Sequence, residues 1–229
     1  MTAGSRLAAA ARRLWQSRSG VAATEFAIVL PFVLSSGLMG LEVGNRALVQ
    51  IQISQLASHI ADDASRIGDT STLQERKIYE RDIIDLFRGA NAEAGRRIDL
   101  FEHGRVIISS LEVVPDTENQ QYIHWQRCLG KKEHTSSYGE EGDGLSGGLP
   151  GMGPPGEEVW AFKDEAVMFV EIAYDYQSLV GVTFGFTDVV TATASYTVRD
   201  DRDLTQIYHR DPSAPDVVAR CTDYLGIDL

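Results

Sequence analysis

The chain has 229 residues, with 21 Lys and Arg against 33 Asp and Glu, and a formal net charge of −12. That acidity excludes non-specific nucleic-acid binding, which needs clustered cations to neutralise phosphates, and 43% hydrophobic with 24% charged residues excludes wholesale disorder. The length suits one domain of ordinary size, or one domain plus an appendage, large enough to bury a core without a metal or several disulfides.

The charge is unevenly placed. Residues 1–20 hold Arg6, Arg12, Arg13 and Arg18 and no acid, so they carry +4, while residues 21–229 carry −16. At the boundary begins VAATEFAIVLPFVLSSGLMGL, residues 21–41, whose one charged residue is Glu25. As a helix it spans roughly 30 Å, the thickness of a bilayer's hydrocarbon core. A basic head followed by such a segment predicts a single-pass bacterial inner-membrane anchor, N-terminus cytoplasmic and acidic remainder exported. A secretory signal peptide shares the basic and apolar regions and would be cut near Ser35-Ser36-Gly37.

Two residues do not fit a plain anchor. A carboxylate at membrane depth, as at Glu25, costs about 2.5–3.5 kcal/mol on insertion scales. Pro31 removes a helical hydrogen bond in mid-segment and favours a kink. Singly, Glu25 reads as an interfacial carboxylate and Pro31 as an ordinary kink. With Gly20 they form a pattern.

The boundary reads Arg18-Ser19-Gly20-Val21-Ala22-Ala23-Thr24-Glu25-Phe26. It resembles the processing site of type IV prepilins, in which a membrane-embedded prepilin peptidase cuts after a Gly and a Glu stands fifth in the mature chain. Glu25 is fifth if Val21 becomes the first residue. Residues 18–67, with Glu25-Phe26, Pro31, Glu42 and Gly44, resemble the N-terminal motif of the TadE/TadG-like proteins of tight-adherence (Flp) pilus systems. The resemblance implies a TadE-like minor pseudopilin, a non-enzymatic subunit without cofactor. Its implied partners are prepilin peptidase, other pilins and pseudopilins, inner-membrane pilus assembly proteins and membrane lipid. It also implies that the new Val21 amine pairs with Glu25, within one subunit or between neighbours. The chain is too long for a major Flp pilin, which usually has Tyr where Phe26 stands, and short for the larger TadG type; TadE and TadF types both remain open. The rival classes are a signal-anchored periplasmic binding or adhesion domain and an exported enzyme.

Beyond the membrane segment Val49, Ile53, Leu56, Ile60, Ala64 and Ile67 recur at helical spacing, with polar residues on the other faces, so residues 42–68 are expected to continue as an amphipathic helix packed on a folded domain. Gly68 and the Asp69–Thr72 cluster end it. Thr72 with Glu75 has capping-box spacing for a second helix, carried by Ile78, Ile83, Ile84, Leu86 and Phe87 and weakened at Gly89. Strands are expected over 106–114, 122–128, 166–176 and 189–198, the first two joined as a hairpin across Pro115–Asn119. The expected fold is α+β: a long N-terminal helix, a second helix and an antiparallel sheet of about four strands, pilin-like, with residues 69–229 as the exported domain. Residues 139–156 hold eight glycines and three prolines and are expected to form an exposed, mobile, permissive loop.

Other chemistry is weakly marked. Gly144-Leu145-Ser146-Gly147-Gly148 matches G-x-S-x-G but lies in that loop, without the strand and helix a nucleophile elbow needs. Glu140, Glu141 and Asp143 supply oxygens for calcium, without EF-hand spacing. His59, His103, His124, His134 and His209 show no metal-binding spacing. Arg199–Asp203 reads as a solvated charge network. Cys128 and Cys221 are the only cysteines, and an even pair on the exported side favours a disulfide tying the C-terminal tail to the second strand.

Overall fold

A computed structural model describes residues 11–13, 15, 19–68, 76–180, 188–199 and 202–227. Most of the basic head, the Asp69–Thr72 cluster, the Thr72–Glu75 capping pair and Asp200-Asp201 lie outside the described residues. The chain divides into two compact units, residues 1–45 and 46–229.

Helix α1, Ser19–Ala64, runs without interruption through Pro31. In the second unit its apolar stripe is buried: Val49, Ile53, Leu56, Ile60 and Ala64, with Ala57 and Ala61 between them, are at most 4% exposed. Small and branched residues at this spacing let a helix lie close on a sheet. Arg202 closes the helix, its guanidinium donating to the carbonyl oxygens of Ala64 at 3.3 Å and Ile67 at 2.7 Å. These are acceptors that a helix end leaves without backbone partners.

Helix α2, Glu80–Ile98, is amphipathic and buries Ile83, Ile84, Leu86, Phe87 and Ala90. Its start differs from the Thr72–Glu75 expectation. Tyr79 holds the extended cap position, and its N–H donates to the Asp82 carboxylate at 3.2 Å. The helix passes through Gly89. The helical path breaks at Gly95, at φ 68°, and Asp99 in the left-handed region leads into the short helix α3, Leu100–His103.

Four strands follow: β1 Gly104–Val113, β2 Gln121–Leu129, β3 Ala166–Asp175 and β4 Val189–Thr197. They form one antiparallel sheet in the order β2-β1-β3-β4. The fold is therefore α+β, with the expected β1–β2 hairpin, whose register shifts between Ser110 and Leu111. One sheet face meets the helices in the main core, where Val106, Ile108, Met168, Val170 and Ile172 pack with Ile53, Ile60 and Phe87. The other face carries a smaller core of Leu111, Ile123, Val167 and Phe169, covered by Met152 and Ala161 from the β2–β3 connection.

That connection includes 139–156. It is anchored along β2: Ile123 N–H donates to Asp143 O, Gly142 N–H to Ile123 O, and Leu149 N–H to Gln121 O, all within 2.9 Å. Met152 is fully buried. The reading as an exposed loop thus holds for only part of its length. Glycine serves here as a contact residue: Gly144 has φ +92°, and a Cβ there would come 2.3 Å from Gln121 O.

The tail from Arg202 onward crosses the start of α2 and then follows β2. Asp203 N–H donates to Arg76 O, Tyr208 N–H to Ile78 O, Cys128 N–H to Ala219 O and Gly130 N–H to Leu225 O.

Candidate membrane and processing segment

Among the described residues, one helix is long and apolar enough to cross a membrane, beginning at Gly20. In the first unit Val21, Phe26, Ile28, Phe32, Val33 and Leu41 are all more than half exposed. Each such side chain left in water forfeits about 1.5–3 kcal/mol relative to burial. Six of them match the whole stability of an ordinary domain, roughly 5–15 kcal/mol. A bilayer removes that cost.

The sequence-selected residues lie at the start of this helix. Among the described residues, a Cβ on Gly20 would meet nothing within 4 Å beyond its own helix turn. The Gly20–Val21 peptide sits in the first turn, where the Thr24 hydroxyl donates to Val21 O at 2.8 Å and Gly20 O at 3.2 Å. Glu25 is exposed and follows Val21 by four residues, which puts both on one face. Pro31 lies inside the helix and lacks the N–H that would reach the carbonyl of Ala27. Glu42, by contrast, is buried.

In the second unit Cys128 and Cys221 form a disulfide across 93 residues, with Cα atoms 4.7 Å apart. It fastens the tail to β2. Arg105, fully buried on β1, reinforces it by donating to the carbonyls of Gly130 at 2.9 Å, Cys221 at 2.6 Å and Asp223 at 3.2 Å. Its guanidinium lies 4.3 Å from the Tyr224 ring centre. Burial lowers its pKa from the ordinary arginine value. Cys128→Ser is expected to lower stability by about 2–5 kcal/mol, read by urea unfolding of the detergent-solubilised chain. An unchanged midpoint, or a wild-type midpoint insensitive to reductant, would show that the bridge contributes nothing.

A cleft of about 630 Å³ lies beside the disulfide, lined among others by Glu80, Arg127, His134, Glu141, His209 and Arg220. Several of these side chains are held by ion pairs. Arg127 holds Glu80 in a two-pronged pair at 2.6–3.2 Å and reaches Glu141 at 3.1 Å. His134 Nε2 is 3.0 Å from the Glu171 carboxylate, which also accepts from the Ser137 hydroxyl. On β2, His124 meets Glu112 at 2.9 Å, and that hydrogen bond raises its pKa. Asp143 accepts from the Glu140 N–H, and no group of three metal-ligating side chains occurs among the described residues. Ser146 is exposed in a run of turns, without a flanking strand and helix.

The sequence singled out neither the buried Arg105 nor the largely shielded Arg127, two cations that tie elements of this domain together. Arg105 meets carbonyls and Arg127 meets two acids, Glu80 and Glu141, and an arginine within a strand-like run carries no local mark of them. No protein-family model matches the chain, and no curated protein and no solved structure is similar to it.

Proposed function

We propose that this protein is a TadE-like minor pseudopilin, cut between Gly20 and Val21 by a prepilin peptidase and acting in assembly of Flp-type pili. One observation carries the reading. Gly20, Val21, Glu25, Phe26 and Pro31 keep prepilin spacing within the first turns of the one membrane-length helix among the described residues, where the charge changes sign. Cleavage would create an amine at the start of α1. Glu25 would then lie near a helix N-terminus, where a carboxylate is favoured by about 0.3–1 kcal/mol. The partners on this reading are the peptidase, other pilins and pseudopilins, assembly proteins of the bacterial inner membrane, and lipid. The disulfide suits an oxidising periplasm.

N-terminal sequencing of the membrane-extracted protein tests it. A chain starting at Val21 is expected. A start near residues 37–40 means ordinary secretion, and retention of residues 1–20 means a permanent anchor for a periplasmic binding or adhesion domain. Either of the last two overturns the proposal.

A further inference from the structure

The last stretch of the tail is held differently from the part before it. Residues 208–216 are pinned beside the start of α2: Tyr208 N–H donates to Ile78 O at 2.8 Å, Arg210 donates to Asp82 at 2.6 Å, and Asp216 N–H donates to His209 Nδ1 at 3.1 Å. Residues 217–227 bury one side chain, Ala219, and Ile227 packs on the core only in part. Among the described residues, four hydrogen bonds join this stretch to the sheet, and in each the tail supplies the carbonyl. Cys128 N–H donates to Ala219 O, Gly130 N–H to Leu225 O, and Arg105 to Cys221 O and Asp223 O. Ordering a chain costs conformational entropy at every residue, and a hydrogen bond exchanged against water returns little of it. One buried alanine does not make up the difference. The Cys128–Cys221 bridge is what keeps this stretch on β2.

The bridge can be reached from outside. Both cysteines line the cleft of about 630 Å³. Cys128 is 2% exposed, whereas Cys221 is half-buried. Arg220, exposed and lining the same cleft, is the cation beside Cys221, and a thiolate is favoured next to a cation. The closed tail also carries a cost. Arg105 is fully buried, faces carbonyls and no acid, and its Nε finds no acceptor among the described residues. A buried donor left unpaired opposes the closed form, and water would supply the missing acceptor once the tail moved away.

We propose that the disulfide is a latch worked by thiol–disulfide exchange at Cys221, and that the folded domain releases residues 217–227 when the bridge is reduced. The co-reactant is a dithiol, the chemistry carried by a protein disulfide oxidoreductase. One thiolate of the dithiol attacks Cys221 Sγ. The bond to Cys128 breaks, and its electron pair leaves on Cys128 Sγ, which takes up a proton. The second thiolate then attacks the dithiol's own sulfur in the mixed disulfide, Cys221 departs and is protonated, and the dithiol becomes a disulfide. Two electrons and two protons have passed to the protein, and the reverse sequence closes the latch. Release uncovers the Cys128 and Gly130 N–H groups on the β2 edge. It stops short of Ile123, whose N–H is held by Asp143 O from the β2–β3 connection. The latch depends neither on the membrane segment nor on its processing.

The test uses the full oxidised chain in detergent, without denaturant. Dithiothreitol is expected to reduce the bridge completely while circular dichroism stays unchanged. Amide hydrogen exchange at Cys128 and Gly130 should then rise roughly tenfold or more, with Ile123 and β1 still protected. Glutathione, a monothiol that cannot complete the second step, is expected after acid quench on Cys221 over Cys128 by about ten to one or more, read by peptide mass. A bridge reduced only in urea that unfolds the domain, unchanged exchange at Cys128 and Gly130, equal loss of protection along all of β2, or equal trapping on the two sulfurs overturns the proposal.

Discussion

Gly20→Leu is expected to leave residues 1–20 attached to the protein. The peptide after Gly20 lies in the first turn of α1, held by the Thr24 hydroxyl, and a protease must open that turn to draw the chain into an extended form. A glycine destabilises a helix by about 1 kcal/mol relative to alanine and presents no side chain to an approaching active site. Leucine reverses both effects. A Cβ at this position meets nothing beyond its own helix turn within 4 Å among the described residues, so the exported domain should fold as before. The readout is the N-terminus and the charge. Wild type should carry Val21 as its first residue and a formal charge of −16, whereas the variant should keep Met1 or Thr2 and the precursor's −12, a difference resolved by isoelectric focusing. Gly20→Ala, smaller but helix-favouring, should fall between them. A Val21 terminus produced from Gly20→Leu at the wild-type rate would remove the peptidase from the account.

How far the sequence could be read depended on the range of the interactions involved. All four strands were visible because β-branched and aromatic runs bounded by turn residues mark a strand locally, and β3 and β4 were found within one residue of Ala166–Asp175 and Val189–Thr197. The buried stripe of α1 was visible because helical spacing repeats over five turns. The start of α2 was missed because Tyr79 and Asp82 form its cap, and tyrosine is not a residue that announces one. It passes through Gly89 because packing of Leu86, Phe87 and Ala90 outweighs one glycine's intrinsic preference. Composition alone suggested exposure for 139–156. It could not show that glycines with positive φ fold that stretch against β2. The disulfide followed from counting cysteines, but the Arg105 cage joins atoms more than 100 residues apart and left no local pattern. The membrane-length helix was legible because its apolar residues all fall within one short segment.

A large loss of stability is expected from Arg127→Met. The Arg127 side chain is 13% exposed and that of Glu80 only 4%, so the pair is shielded from water. Burial by itself would lower the Arg127 pKa, yet the hydrogen bond and charge of Glu80 outweigh it and the net shift is upward. The pair joins three elements, because Arg127 lies on β2, Glu80 opens α2, and the Glu80 N–H donates to Tyr208 O of the tail at 3.0 Å. Methionine keeps the volume and removes the charge, leaving a buried carboxylate unpaired. Breaking such a pair costs about 3–5 kcal/mol, and the position of Glu80 at a helix N-terminus offsets up to about 1 kcal/mol, so about 3 kcal/mol is expected. Against a total near 5–15 kcal/mol, the urea midpoint should fall clearly, read by emission of the tryptophans, of which Trp125 is 6% exposed on the same strand. Adding Glu80→Gln should restore most of the loss, since a neutral amide costs far less to bury than a charge. Lys163→Met is the control, because its pair with Glu118 is 54% and 77% exposed and exposed pairs contribute roughly 0–1 kcal/mol. If Arg127→Met cost no more than Lys163→Met, or if Glu80→Gln failed to rescue it, the pair would not hold α2 and the tail on β2.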